Sequence, residues 1–371
     1  VALLARRLLK RQGDQVAESA AGHRVLIREE SIVRVERNLV PTGQRLSEQV
    51  RAHPACIGGG NRISKEEPDV RTVSRAGTLD RSVDPEVLAG LAERLNDYLT
   101  LCKPKVVSLI VFTAIVGMFL SVPGMVPLDI LVFGTIGIGL SASSAAAINH
   151  VLDARIDAEM KRTRKRPLPT GHLTETQATT FAVTLGILSM MILVAFTNIL
   201  TAVLTFVSLI GYAIVYTAWL KRATPQNIVI GGAAGAAPPI LGWTAVTGEI
   251  HAQALLLFLI IFTWTPPHFW ALAIARKDEY AKVNIPMMPV THGVEFTRLQ
   301  ILLYTILLFV VSVLPYLIGM SGALYLGAAI ILGAGFIGYA VAMMRSDKPE
   351  LPMKTFTYSI TYLMGIFSAL L

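Results

Sequence analysis

Asn149, Asp153 and Asp157 stand four residues apart, so on a helix their oxygen-bearing side chains line one face over roughly 12 Å of rise. The sequence before them is apolar, and an ionised Asp at the end of a membrane helix is costly unless a metal or a cation pairs with it. Mg2+ takes one or two carboxylates together with the phosphate oxygens of a substrate. The row therefore suits a metal-bound diphosphate, with Asp153 and Asp157 as ligands and Asn149 assisting; the plainer alternative is that the two Asp cap the span and face water. Directly beyond lies Lys161-Arg162-Thr163-Arg164-Lys165-Arg166, then the rigid turn Pro167-Leu168-Pro169-Thr170-Gly171. Alone, such a run is topological or lipid-facing. Beside two carboxylates, Arg162, Arg164 and Arg166 become candidates to clamp phosphate oxygens through paired hydrogen bonds.

Two further groups share this chemistry. Asp278, Glu279 and Lys282 follow Arg276 and Lys277 and precede the break Ile285-Pro286-Met287-Met288-Pro289; Asp278 is a third candidate metal ligand, against the bland reading of a solvated charged loop. Tyr216, Trp219, Lys221 and Arg222 sit together between apolar runs, where Trp219 suits an aromatic belt and the others could face a substrate. His268 lies inside an apolar run among Trp264, Phe269 and Trp270, and either packs through hydrogen bonds or approaches a porphyrin; His292 is a weaker candidate for the same role.

The elements that must hold these residues are membrane helices. The stretches 106–128, 130–152, 176–220, 223–248, 250–275, 299–344 and 355–371 contain no Lys, Arg, Asp or Glu. A span needs about 20 apolar residues, so the two longest each divide, at Thr197-Asn198 and at Ser321-Gly322, which predicts nine transmembrane helices. All Lys and Arg after residue 102 then fall in loops on one side, which predicts that this side, and the N-terminal end of the region, are cytoplasmic. Pro238-Pro239 and Pro266-Pro267 should bend their helices, and irregular backbone at that depth lines cavities. The expected fold is all-α, with nine spans around a central cavity open to the cytoplasmic side.

Of the 371 residues, 53% are hydrophobic and only 16% charged, which excludes an ordinary soluble domain. A net charge of +8 could suggest nucleic acid, yet the cations gather at loop positions of a membrane protein, so no nucleic-acid partner is expected. Two cysteines, Cys56 and Cys102, provide neither a disulfide framework nor a thiolate cage. Residues 1–92 are polar and lack an apolar period, as a disordered extension or an over-extended reading frame would; residues 93–371 form the membrane domain. The amphipathic basic start, Val1 to Arg11, is followed by Asp14, Glu18, Glu29 and Glu30, which argues against a mitochondrial presequence and for a bacterial inner membrane. The last apolar run ends at Leu371, as in a truncated chain.

The run Asn149-His150-Val151-Leu152-Asp153-Ala154-Arg155-Ile156-Asp157, with the Lys161 to Gly171 segment, resembles the first signature of the UbiA superfamily of intramembrane prenyltransferases. Three further strings, Tyr216 to Asn227, Thr265 to Trp270 and Ile285 to Val290, narrow the resemblance to its heme-farnesylating members, and it covers about residues 95–371. It implies a nine-span bundle, a Mg2+-dependent site, farnesyl diphosphate as donor and heme B as acceptor, giving heme O for heme-copper oxidases. The implied surroundings are the lipid bilayer and a heme A synthase or oxidase assembly factors. In the superfamily the second motif usually has two Asp four apart; here Lys282 follows Asp278 at that spacing. Whether Asp278 and Glu279 bind metal or orient the diphosphate through Lys282 stays open at this level. The alternatives are prenylation of a quinone precursor or chlorophyllide, and an ion-coupled transporter, which the one-sided gathering of charge and the lack of an inverted repeat disfavour.

Overall fold

The computed structural model describes residues 85–371, with side chains from Leu88 onward. The expectation for the polar extension falls, for residues 1–84, outside the described residues. Every regular element described is helical: α1 (Pro85–Cys102), α2 (Pro104–Leu120), α3 (Leu128–Glu159), α4 (Glu175–Phe196), α5 (Ile199–Ile210), a π-helix (Gly211–Leu220), α6 (Lys221–Ala223), α7 (Asn227–Ala236), α8 (Pro238–Thr247), α9 (Ala252–Ala275), α10 (Lys277–Lys282), α11 (Met288–Thr291), α12 (Val294–Leu317), α13 (Ala323–Arg345) and α14 (Leu351–Leu370). Among the described residues, seven helical segments are long and apolar enough to cross a membrane: α3, α4, α5 to α6, α7 to α8, α9, α12 and α13. The α1–α2 pair, bent by 52°, brings the total to as many as eight.

Sequence chemistry accounts for the breaks. Asn198 accepts a hydrogen bond from the Thr201 amide at 2.9 Å and caps α5, so the long run divides at Thr197-Asn198 as its turn residues predict. The other long run divides where α12 ends at Leu317 and Gly322 precedes α13. Pro238 interrupts the run 223–248 and opens α8 at its first turn, where its missing N–H costs nothing. Pro266 and Pro267 lie inside α9, which continues through them to Ala275.

Apolar helices have no hydrophobic reason to associate in lipid, so close approach and interhelical hydrogen bonds must hold the bundle. Gly117 of α2 faces the Pro239 carbonyl of α8, and Gly242 of α8 faces the Ala114 carbonyl of α2; a Cβ at either would strike backbone. Ser144 of α3 donates to the Ala182 carbonyl of α4 at 2.7 Å, and Ser189 of α4 returns a 2.7 Å bond to the Gly137 carbonyl of α3. The largest core joins α9, α12, α13 and α14 through Leu257, Ile260, Leu308, Phe336, Tyr362 and Phe367. Outward faces are apolar and exposed, as along Val183, Ile187, Met191 and Val194 of α4.

Candidate active site

Helix α3 runs to Glu159, so the oxygen row stays helical past the apolar part of the span, and Asn149, Asp153 and Asp157 are all buried. Each faces a cation. The Lys103 ammonium donates to Asn149 Oδ1, Lys221 Nζ lies 2.6 Å from Asp153 Oδ2, and Arg166 Nη1 lies 2.5 Å from Asp157 Oδ2. Asn149 Nδ2 donates to Asp153 Oδ2 at 2.9 Å. The three pairs border a cavity of about 120 Å³ that Arg162 also lines. Four cationic side chains against two carboxylates leave a surplus of positive charge, the balance that an anion requires. Much of Arg162 meets solvent, and burial of the part that lines the cavity, followed by the Arg166 guanidinium, lowers its pKa.

The opposite wall is aromatic and apolar: Tyr212, Tyr216, Phe269, Tyr280 and Ile285 among others. Tyr212 and Tyr216 stack with ring centroids 5.4 Å apart. Both stand on the π-helix, in which hydrogen bonding runs from i to i+5 and residues four and five apart share a face. Tyr216 and Lys221, five apart, consequently meet the same cavity. Gly231 of α7 makes room for Tyr216, because a Cβ there would collide with its ring. Burial holds the Tyr280 phenol above its usual range, which keeps the hydroxyl a hydrogen-bond donor.

The loop after α3 sorts its basic residues by turn geometry. Thr163 N bonds to the Met160 carbonyl and Arg166 N to the Thr163 carbonyl, so Met160, Thr163 and Arg166 turn inward every third residue. Thr163 Oγ1 donates to the Asp157 carbonyl at 2.9 Å and satisfies one of the free carbonyls at the end of α3. Arg164 points outward and is exposed. Arg222 is also exposed and reaches the Leu152 carbonyl at 3.4 Å, outside the cavity lining. On α10, Asp278 and Lys282 are exposed and Glu279 pairs with Arg276 at 3.0 Å; only Tyr280 of that helix lines the cavity. The structure thus unites Asn149, Asp153, Asp157, Arg162, Arg166, Tyr216 and Lys221, and leaves Asp278, Glu279, Lys282, Arg164 and Arg222 outside.

His268 is buried between the rings of Trp264 and Phe356, at 4.1 and 4.5 Å, with Nδ1 2.6 Å from Ser359 Oγ. Its neighbour Phe269, not His268, lines the cavity. His292 is exposed, stacked on Phe296.

Lys103 escaped the sequence-level candidates, where it counted only as a loop cation. It adopts the left-handed conformation, φ 50° and ψ 60°, at the bend between α1 and α2. Such backbone costs on the order of 1 kcal/mol or more outside glycine and persists where the surroundings enforce it. A lysine immediately before a proline that opens an apolar span was the available signal.

Among the described residues no three acidic, His or Cys side chains converge as a metal cage. Mg2+ seldom uses one, keeping waters and substrate phosphate oxygens instead. Asp153 Oδ1, buried without a hydrogen-bond partner among the described residues, is the open oxygen such an ion would take. The hard-oxygen row fits Mg2+.

A helical membrane bundle whose polar cavity sets carboxylates against cations, with an aromatic wall opposite, is the architecture of an intramembrane enzyme that handles a polyanion. The chain belongs to the UbiA prenyltransferase family, whose sequence profile matches residues 110–366. It is 65% identical over 274 residues to the protoheme IX farnesyltransferase of Methylococcus capsulatus, covering 74% of this chain and 92% of that protein. It is 61% identical over 285 residues to that of Nitrosococcus oceani, covering 77% and 95%. Its fold matches a digeranylgeranylglyceryl phosphate synthase with a TM-score of 0.64 at 20% identity, over 75% of this chain and 97% of the other. A UbiA homolog from Archaeoglobus fulgidus bound to GPP and Mg2+ matches with a TM-score of 0.52 at 16% identity, over 74% and 99%.

Proposed function

We infer that the chain transfers the farnesyl group of farnesyl diphosphate to a vinyl group of heme B, giving heme O. The observation that carries this reading is the 65% identity across 92% of a protoheme IX farnesyltransferase, in a chain whose cavity has the charge to hold a diphosphate. No comparable observation favours a quinone precursor, chlorophyllide or a transported ion.

Asp153 and Asp157, with Asn149 Oδ1, would hold Mg2+, which when bound supplies Lewis-acid neutralisation of the diphosphate. Lys103, Lys221, Arg162 and Arg166 bind the diphosphate oxygens and stabilise the charge that grows on them as the bond to farnesyl C1 breaks. Tyr280 donates a further hydrogen bond while staying neutral. Tyr212, Tyr216 and Phe269 keep water from the allylic cation, and their π-systems tolerate its charge. The terminal vinyl carbon of heme B attacks that cation and forms the new C–C bond. Positive charge passes to the carbon beside the porphyrin, where water adds and loses a proton, giving the hydroxyethylfarnesyl side chain. A cavity of about 120 Å³ is small beside the roughly 300–1,000 Å³ of drug-sized ligand pockets, so it takes the headgroup while tail and porphyrin lie against apolar surface outside it. For Asp278, Glu279, Lys282, Arg164 and Arg222 the geometry supports an outer role, in charge balance at the mouth rather than ligation. His268 supports α9 against α14, and heme contact falls to Phe269 and its neighbours.

In the membrane, α2 and α14 join the seven apolar segments as spans eight and nine. Helix α2, at about 1.5 Å per residue, covers roughly 26 Å, close to the hydrocarbon thickness. The end that carries the basic loops and the cavity faces the cytoplasm, by the positive-inside tendency. Helix α1 lies in the interface: Leu88, Leu91, Leu95 and Leu99 are 52 to 65% exposed along one stripe, while Leu101 and Asp97 pack on the other side, and a bilayer surface accounts for such a stripe. The protein is then a multi-pass protein of a bacterial inner membrane, and a heme A synthase or oxidase assembly factor would collect heme O from the lipid.

The test is incubation of the purified chain in lipid with farnesyl diphosphate, Mg2+ and either heme B or a 4-hydroxybenzoate quinone precursor, followed by chromatography and mass analysis of both acceptors. Heme O that appears only with heme B, farnesyl diphosphate and Mg2+ together supports the assignment; unchanged heme B alongside transfer to the quinone precursor overturns it.

A further inference from the structure

Asn149 is the member of the oxygen row whose chemistry depends on which way it is turned, because one side of an amide donates and the other accepts. Its neighbours fix the orientation. Lys103 Nζ carries only donors and therefore faces Oδ1, and the Asp153 carboxylate carries only acceptors and faces Nδ2 at 2.9 Å. The second Nδ2 hydrogen points to Thr217 Oγ1 at 3.3 Å. Thr217 is wholly buried, and its own hydroxyl hydrogen goes to the Tyr212 carbonyl at 2.8 Å, so only lone pairs are left for Asn149.

The π-helix makes this possible. Thr263, Thr265 and Thr305 return their hydroxyls to the carbonyl four residues back, the ordinary helical bond. Thr217 reaches five back, which only the wider helix allows, and in doing so turns its lone pairs toward α3. The two helices then meet in two rungs of equal spacing, Asn149 with Thr217 and Asp153 with Lys221.

We propose that Thr217 is a positioning residue for the divalent cation: it locks the Asn149 amide so that Oδ1 faces Lys103 and the cavity they share, ready to serve with Asp153 as an oxygen ligand. The inference rests on the reading of Asn149 and Asp153 as the cation site.

Mn2+ binding to the purified full chain in lipid nanodiscs, followed by electron paramagnetic resonance with unreactive farnesyl thiolodiphosphate present, separates the two claims. Thr217→Val removes the hydroxyl at nearly constant shape and should weaken Mn2+ binding by about 10- to 100-fold, the usual effect of losing a group that orients a ligand, with the melting temperature little changed. Thr217→Ser should bind like wild type. In an Asn149→Ala background, Thr217→Val should add no further loss, since Thr217 acts through that amide. Wild-type affinity in Thr217→Val, or an equal further loss in the Asn149→Ala background, overturns the positioning role. Should the valine variant not survive purification, Thr217→Ala is compared with Thr217→Ser in the same way. Unchanged Mn2+ binding in Asp153→Ala is a different failure, that of the cation site itself.

Discussion

Asp153 is 3% exposed, and one of its oxygens has no partner among the described residues. As a net contribution to stability the buried pair with Lys221 is weak, because desolvating both charges offsets their attraction, although removing Asp153 alone would leave Lys221 unmatched. In the proposed reaction the part of Asp153 is to hold the cation beside the diphosphate. Asp153→Ala and Asp157→Ala should each reduce heme O formation by at least about 100-fold, the scale on which charge-stabilising groups act, while the protein still inserts into membranes. Product assays on matched amounts of membrane-extracted protein check this. Arg166→Ala and Arg164→Ala make a sharper pair. The two look alike in sequence, but Arg166 meets Asp157 and lines the cavity whereas Arg164 faces outward. Arg166→Ala should cost about tenfold or more in kcat/KM and Arg164→Ala under about twofold. Which arginines of a basic run face inward was illegible without the turn that alternates them. That carboxylates and a basic run belong together was legible from their spacing alone.

At the scale of elements, the charge-free runs anticipated where helices lie because lipid leaves the backbone few alternatives. The π-helix was not foreseen: Gly211 to Leu220 has no period that distinguishes it from an α-helix, and the shift shows only when Tyr216 and Lys221 are found in one cavity. Lys103 was missed for a related reason, since its role depends on a left-handed bend rather than on a pattern. Packing around the π-helix gives a prediction. Gly231→Ala would press on the Tyr216 ring and should impair farnesyl transfer while melting remains cooperative; equal activity in the variant would mean that Tyr216 can move without consequence. Gly242→Ala, which meets backbone rather than a side chain, should instead lower stability by about 1–3 kcal/mol, seen as a fall in melting temperature. Spin labels on α1 test its seat in the interface. Labels at Leu91 and Leu95 should show shallow acyl-chain depth and a label at Glu93 should show water.

For the whole molecule, the sequence gathers the cations after residue 102 in every second loop, on one side, and the structure brings the Lys161–Arg166 loop, Lys103 and Lys221 to the groups that line the polar cavity. One end of the bundle thus carries both the topological charges and the site, which is why the basic loops were open to two readings at once. Cysteines introduced at Lys161 and at Gly124, in a cysteine-free background, should label from opposite sides of inside-out vesicles, with Lys161 on the cytoplasmic side.

A structure of the chain with farnesyl thiolodiphosphate and Mg2+ bound bears most directly on the site. The diphosphate is expected within hydrogen-bonding distance of Lys103, Arg166 and Lys221, with the ion on Asp153. A diphosphate held instead by Lys282 and Arg164, with the ion on Asp278 and Asp153 still paired to Lys221, would contradict it.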